Sequence, residues 1–149
     1  TPRMFDHEFR LQGYVDAMSH LDLKPWVVSI EGDYIESAGA EAAAQFMDQV
    51  ELPTAIVCSN DQVALGLAYS FQKSGIKVPG DVSIVGYDDT VARLPFLDFT
   101  TVHQDPQELA QAAVADLADR IAGKKKQAEI HLTSANLVIR SSTAAPRLM

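Results

Sequence analysis

The stretch PTAIVCSNDQVALGLAYSFQKSGIKVPGDVSIVGYDD, residues 53–89, decides the fold. Pro53 leads into a short apolar run, residues 54–58, with the composition of a buried strand. Ser59, Asn60 and Asp61 then supply short polar side chains that close a strand and cap a helix. Over residues 62–74, Ala64, Leu67, Ala68 and Phe71 recur at helical spacing, and Gly75 stands where helices close in a left-handed conformation. Pro79 and Gly80 turn the chain into a second apolar run, residues 82–85, which empties into Gly86, Tyr87, Asp88 and Asp89. Strand, helix and strand in this order are the signature of a parallel crossover unit.

The same alternation extends on both sides. Upstream, residues 6–20 read as a helix with Asp6 as its cap and a stripe of Phe5, Phe9, Tyr14, Met18 and Leu21. Pro25 precedes a candidate strand at residues 26–30, and a helix follows over 36–50, with Ala40, Ala43, Ala44, Met47 and Val50 on one side. Downstream, residues 100–102 read as a brief strand. Asp105, Pro106 and Glu108 then form a cap, a first helical proline and a capping-box acid. Leu109, Ala113, Leu117 and Ile121 repeat every fourth residue until Gly123 stops the helix, and residues 136–139 are extended before a polar tail from Arg140. The expectation is an α/β fold: a three-layer, open parallel sheet with helices on both faces.

Composition narrows the function. The chain has 149 residues, 47% hydrophobic and 21% charged, which suits one globular domain. With 12 Lys and Arg against 20 Asp and Glu, the formal charge is −8, a poor match to a phosphate backbone. Lys124, Lys125 and Lys126 form the one basic run, and it reads as a solvated turn. No apolar run is long enough for a membrane span. The single cysteine, Cys58, excludes an internal disulfide and fits a reducing compartment. The chain opens at Thr1 directly into a helical pattern, which gives the expectation that a longer protein has been cut here.

The polar residues are distributed asymmetrically. In an open parallel sheet, ligands sit beyond the carboxyl ends of the strands. Here each strand ends in a polar, mostly acidic loop: Glu31, Asp33 and Tyr34; Asn60 and Asp61; Tyr87, Asp88 and Asp89; His103, Gln104 and Asp105. The opposite ends carry Pro25, Pro53, Pro79 and Gly80, which are turn residues without chemistry. Carboxylates accept from paired hydroxyls, an amide side chain offers both a donor and an acceptor, and an aromatic ring covers a sugar's C–H face. These groups suit a neutral, hydroxyl-rich small molecule. Asn60, Asp61 and Asp105 also have a simpler reading as helix caps, whereas Asp88 and Asp89 together exceed what a cap needs.

At these residues the chain resembles a known family. The matching motifs are residues 10–14 (RLQGY), 53–55 (PTA), 59–66 (SNDQVALG), 75–89 (GIKVPGDVSIVGYDD), 100–106 (TTVHQDP) and 137–143 (LVIRSST). Their ordered set is similar to the C-terminal part of the effector-binding region of the lactose/galactose-repressor family of bacterial transcription regulators. The resemblance implies a periplasmic-binding-protein-like fold of two lobes with an effector in the cleft between them. It further implies that residues 1–103 and 134–143 lie mainly in the C-terminal lobe and that residues 104–133 pack in the N-terminal lobe. A helix and a central strand would precede Thr1, and the helix-turn-helix that reads operator DNA would lie outside this sequence.

The resemblance assigns roles by position. Arg10 matches the arginine that reaches an effector hydroxyl or carboxylate, Tyr34 an aromatic ring over the ligand, Asn60 a polar contact, and Asp88 the hydroxyl-binding aspartate. Gln104 lies at a crossover beside the cleft. Asp6 stands where some members have a small hydroxyl residue, which implies that a purine-type or anionic effector is disfavoured, and Pro106 stands where some have an aromatic, which implies a different cleft floor. Leu65 and Tyr69 lie off the inner stripe of their helix and match dimer contacts. The implied protein is a cytoplasmic homodimer that senses a sugar-like effector and binds operator DNA through its missing N-terminal domain.

Two other readings compete. A periplasmic solute receptor shares the cleft chemistry but requires an upstream secretory signal, and the Asn60-Asp61 cap with residues 78–83 favours the regulator. A flavodoxin-like phosphotransfer enzyme would hold Mg²⁺ between Asp88 and Asp89. The sequence has no Walker-type glycine loop and no G-x-S-x-G turn, and Cys58 falls inside a strand. His7, His20, His103 and His131 lack metal-ligand spacing, and His103 alone falls near the crevice. The expectation is therefore no catalysis, no metal and no cofactor.

Overall fold

The computed structural model describes residues 5–33, 35–124, 127 and 132–147. The elements are α1 (Phe5–His20), α2 (Glu36–Met47), β1 (Ala55–Val57), α3 (Asp61–Lys73), β2 (Ser83–Asp88), β3 (Thr100–Gln104), α4 (Pro106–Ile121) and β4 (Ala135–Val138). The strands form one sheet in the order β1-β2-β3-β4. β1 and β2 run parallel with Ile56 beside Ile84, and β2 and β3 run parallel with Gly86 beside Thr101 and Asp88 beside His103. β4 runs antiparallel to β3, with Gln104 beside Ala135. The sheet is thus mixed rather than wholly parallel. The chain leaves β3 and re-enters β4 at the same end of the sheet, so the returning strand can only run backwards.

The core lies between the sheet and the α2–α3 pair. Phe46 of α2 and Leu67 and Phe71 of α3 meet Ile56, Cys58, Val82 and Ile84 there. Glycine permits the close helix contact: a Cβ on Gly39 would strike the Val63 carbonyl, and one on Gly66 would strike the Glu36 carbonyl. This contact sets which side of α2 is buried. Ala38, Gly39, Ala42, Ala43 and Phe46 face inward, while Ala40, Ala44 and Met47 are exposed, as is Val50 beyond the helix. Of the stripe expected from spacing, only Ala43 is buried. An alanine-rich helix has little hydrophobic contrast between its sides, so packing at Gly39 makes the choice.

Among the described residues, the expected strand at residues 26–30 forms no ladder. Its alternation is nevertheless real. Val28 and Ile30 pack on the core, Val27 is exposed, and Trp26 stands edge-on to Phe46 at 5.4 Å. A period-two pattern records burial, whereas a strand also needs a hydrogen-bonding neighbour.

The outer helices correct two further expectations. α1 already includes Phe5, so Asp6 lies inside it and is not its cap. Phe9 and Leu21 are exposed, and of the described stripe only Tyr14 and Met18 are half-buried. α1 is held instead by polar contacts: the Trp26 amide donates to Tyr14 Oη at 3.1 Å, and Arg10 reaches the sheet. In α4 the cap is as expected, with Asp105 accepting from the Gln107 and Glu108 amides at 2.9 and 3.2 Å. No residue of α4 is buried, and Leu109, Val114, Leu117 and Ile121 face outward.

The tail from Arg140 is more deeply placed than its polarity suggests. Ser142 is buried between β2 and β3, where it receives the Ile84 amide on its carbonyl and the Thr100 amide on its hydroxyl. Arg147 donates to the Asp81 and Leu52 carbonyls, both at 2.6 Å.

Candidate functional site

The carboxyl ends of β2 and β3 bring three of the expected residues together. β2 ends at Asp88 and β3 at Gln104, and the Gln104 amide donates to Asp88 Oδ1 at 2.7 Å. Arg10 projects from the middle of α1 and lies 3.6 Å from the same oxygen. Arg10 is also held away from Asp88. It donates to the Ser59 carbonyl at 2.7 Å, and its guanidinium sits 3.8 Å from the centre of the Tyr87 ring. Successive residues of β2 face opposite ways, so Gly86 meets Asp61 of α3 while Tyr87 meets α1. The side chains of Arg10 and Asp88 keep 22% and 32% of their exposure, enough for a ligand to reach both.

Asn60 follows the Ser59 anchored by Arg10. It caps α3 by accepting from the Val63 amide at 2.9 Å, so the simpler reading as a cap is correct as far as that contact goes. Tyr34 lies outside the described residues. Leu65 is half-buried and Tyr69 is exposed on the outer side of α3.

The acidic pair divides its labour. Asp88 and Asp89 both have positive φ, 96° and 55°, a conformation that Asp tolerates better than most residues. The resulting turn sends the two carboxylates to different partners. Asp88 meets Arg10 and Gln104. Asp89 lies 3.1 Å from His103 Nδ1 and 2.8 Å from Arg140 Nη2, the latter an ion pair without hydrogen-bond alignment. Carboxylates committed to separate cationic partners do not form a shared Mg²⁺ site. Among the described residues there is no cluster of His, Cys, Asp and Glu fit to hold a metal. Cys58 is buried, and burial, with the nearby Asp61 carboxylate adding to it, pushes its thiol up to about 12. It is therefore protonated and unreactive at neutral pH.

Sequence reasoning missed the parts that support the site. Asp61, read as a cap residue, is fully buried beneath the turn after Asp88 and accepts from the Thr90 amide at 2.7 Å. Asp89's partner Arg140 lay in what read as a tail. No local pattern marks either residue, because each finds its partners across the sheet. A surface depression of about 530 Å³ lies elsewhere, lined by Met47, Val50, Leu52, Ile76 and Arg147 at the opposite end of β1. Arg10, Asp88 and Gln104 meet at a partly exposed surface at the strand ends.

Comparison with known proteins identifies the family. Residues 4–143 match the periplasmic binding protein-like domain family. The HTH-type transcriptional repressor PurR of Proteus mirabilis is 37% identical over 139 residues, covering 91% of this chain and 40% of that protein. The HTH-type transcriptional repressor CytR of Escherichia coli K12 is 35% identical, covering 92% and 41%. The chain therefore spans about 40% of the length of these relatives. Among solved structures, a LacI-type transcription regulator from Bifidobacterium animalis superposes with a TM-score of 0.86 at 33% identity, covering 94% of this chain and 51% of that one. The Lac repressor dimer bound to operator and the anti-inducer ONPF gives 0.83 at 31% identity, with 94% and 49% covered. No helix among the described residues is long and apolar enough to cross a membrane. The chain belongs to the periplasmic-binding-protein-like family and, within it, to the effector-binding regions of the lactose/galactose-repressor (LacI/GalR) group of transcription regulators.

Proposed function

We propose that this chain supplies one wall of an effector cleft in a dimeric transcription regulator and that the effector is a small, hydroxyl-rich molecule of sugar type. The reading rests on one observation: Arg10 and Gln104 converge on Asp88 at the carboxyl ends of parallel strands. An incoming diol replaces the Gln104 amide and part of the Arg10 contact on Asp88, so the polar groups exchange partners without being left bare. Asn60, next to the Ser59 that Arg10 holds, adds to the wall, and the facing wall comes from another part of the whole protein.

The effector undergoes no chemical change. It favours the closed arrangement of the two lobes only by binding it more tightly than the open one. The helix α4, with its exposed stripe, belongs to the other lobe, so closure alters the positions of the paired N-terminal regions and the operator affinity. Leu65 and Tyr69 contribute to the dimer surface, and the regulator works in the cytoplasm.

A thermal-shift screen of sugars and nucleosides on the full-length protein tests the reading, since a ligand that binds only the folded state raises the melting temperature. A hit should lose its shift in Asp88→Ala. Charged hydrogen bonds contribute about 1.5–3 kcal/mol each, so affinity should fall at least about tenfold. A hit whose affinity is unchanged by Asp88→Ala would remove Asp88 from the site.

A further inference from the structure

We propose that Asp61 is the positioning residue of the effector wall: its buried carboxylate holds the turn after β2 so that Asp88 faces Arg10 and Gln104. The proposal rests on the effector reading above and adds to it a residue that the effector itself does not touch.

Asp61 is fully buried at the first position of α3. A carboxylate taken out of water must recover its lost hydration from the protein. It does so through both oxygens. Oδ2 accepts from the Thr90 amide at 2.7 Å and the Ala92 amide at 3.2 Å, with the Thr90 hydroxyl at 3.5 Å. Oδ1 accepts from the Thr101 hydroxyl of β3 at 2.6 Å. The start of α3 adds its own favourable field for a negative charge.

These bonds join three elements at one point. Thr90 and Ala92 lie just beyond Asp88 and Asp89, whose φ values of 96° and 55° leave the ordinary regions. Such a turn persists only where its surroundings over-determine it. Asp61 provides that constraint on the downstream side, and the β2–β3 pairing of Asp88 with His103 provides it upstream. The carboxylate fits because residue 86 is glycine: a Cβ there would collide with Asp61 Oδ1. Released from Asp61, the turn relaxes toward ordinary φ values, and the Asp88 carboxylate leaves the shared focus of Arg10 and Gln104.

Two measurements on the full-length protein test this. Residue-resolved amide exchange of the wild type should find Thr90 and Ala92 as slow as the core of α3. Exchange as fast as at the exposed Arg93 would overturn the proposal, whether or not an effector is known. The second measurement titrates D-galactose, D-ribose and adenosine into wild type, Asp88→Ala, Asp61→Ala and Asp61→Asn. For a probe held by the wild type and lost in Asp88→Ala, Asp61→Ala should bind at least about tenfold more weakly below its melting temperature, because the Thr90 and Ala92 amides lose the acceptor that holds the turn. Asp61→Asn keeps an acceptor for the two amides and should restore most of that affinity. A purely structural role would lower the melting temperature of Asp61→Ala and leave the probe's affinity at the wild-type value, which overturns the proposal. A probe indifferent to Asp88→Ala counts against the effector reading alone, and the exchange measurement then decides on Asp61. The exchange measurement also decides if Asp61→Ala does not fold.

Discussion

At the scale of single residues, the polar groups at the strand ends are distinguished by what satisfies them. Asp88 meets Arg10 and Gln104 and keeps 32% of its side-chain exposure, whereas Asp89 is tied to His103 and Arg140 and keeps 9%. Removing one member of a largely buried pair leaves the other charge uncompensated. Asp89→Ala should therefore lower stability by about 2–3 kcal/mol, seen as an earlier urea midpoint. An unchanged midpoint would mean that water replaces Asp89 at no cost. Cys58 gives a pH-linked outcome. Its thiol is raised from 9.0 to about 12, so the folded protein holds a proton that the unfolded chain releases above pH 9. This group's contribution to stability thus falls as pH rises from about 9 to 12. At pH 8 a thiol reagent should label Cys58 only in denaturant, and rapid labelling of the native protein would contradict its burial.

At the scale of elements, helix positions follow the points of closest approach. α2 and α3 meet at Gly39 and Gly66, where a single methyl collides with the facing backbone. Backbone cannot turn aside as a flexible side chain does, so Gly66→Ala should destabilise by about 3 kcal/mol, measured by chemical denaturation. A neutral result would place the helices farther apart. The contrast is the exposed cap of α4. Asp105→Ala removes an acceptor for two amides and should cost only about 1 kcal/mol.

At the scale of the molecule, the sheet joins two regions of different character. The core under α2 and α3 is closed, while α4 carries Leu109, Val114, Leu117 and Ile121 on an uncovered side. Placed against a second lobe, that stripe becomes interior. Leu117→Lys should then leave the stability of this chain alone within about 0.5 kcal/mol, since an exposed position is changed. In the full-length protein it should lower the melting temperature by several degrees, as burial of a Leu side chain is worth about 2 kcal/mol. Equal small effects in both would show that α4 stays exposed in the whole protein.

The sequence alone determined whatever depends on neighbours along the chain. The β–α–β order, the caps at Asn60 and Asp105, the stop at Gly75 and the inner stripe of α3 all rest on spacing of three or four residues, and all appear as read. It also indicated Arg10, Asp88 and Gln104, through a resemblance and through the polar character of the strand ends. Only the tertiary structure decided the rest: the antiparallel course of β4, the buried side of α2, the missing ladder at residues 26–30, the Asp89–Arg140 pair, and the burial of Asp61 and Ser142. These depend on contacts between residues far apart in the chain, and no local pattern encodes which distant donor will satisfy a given carboxylate. A strand needs a partner, and a buried charge needs its donors. Both become visible only once the chain has folded.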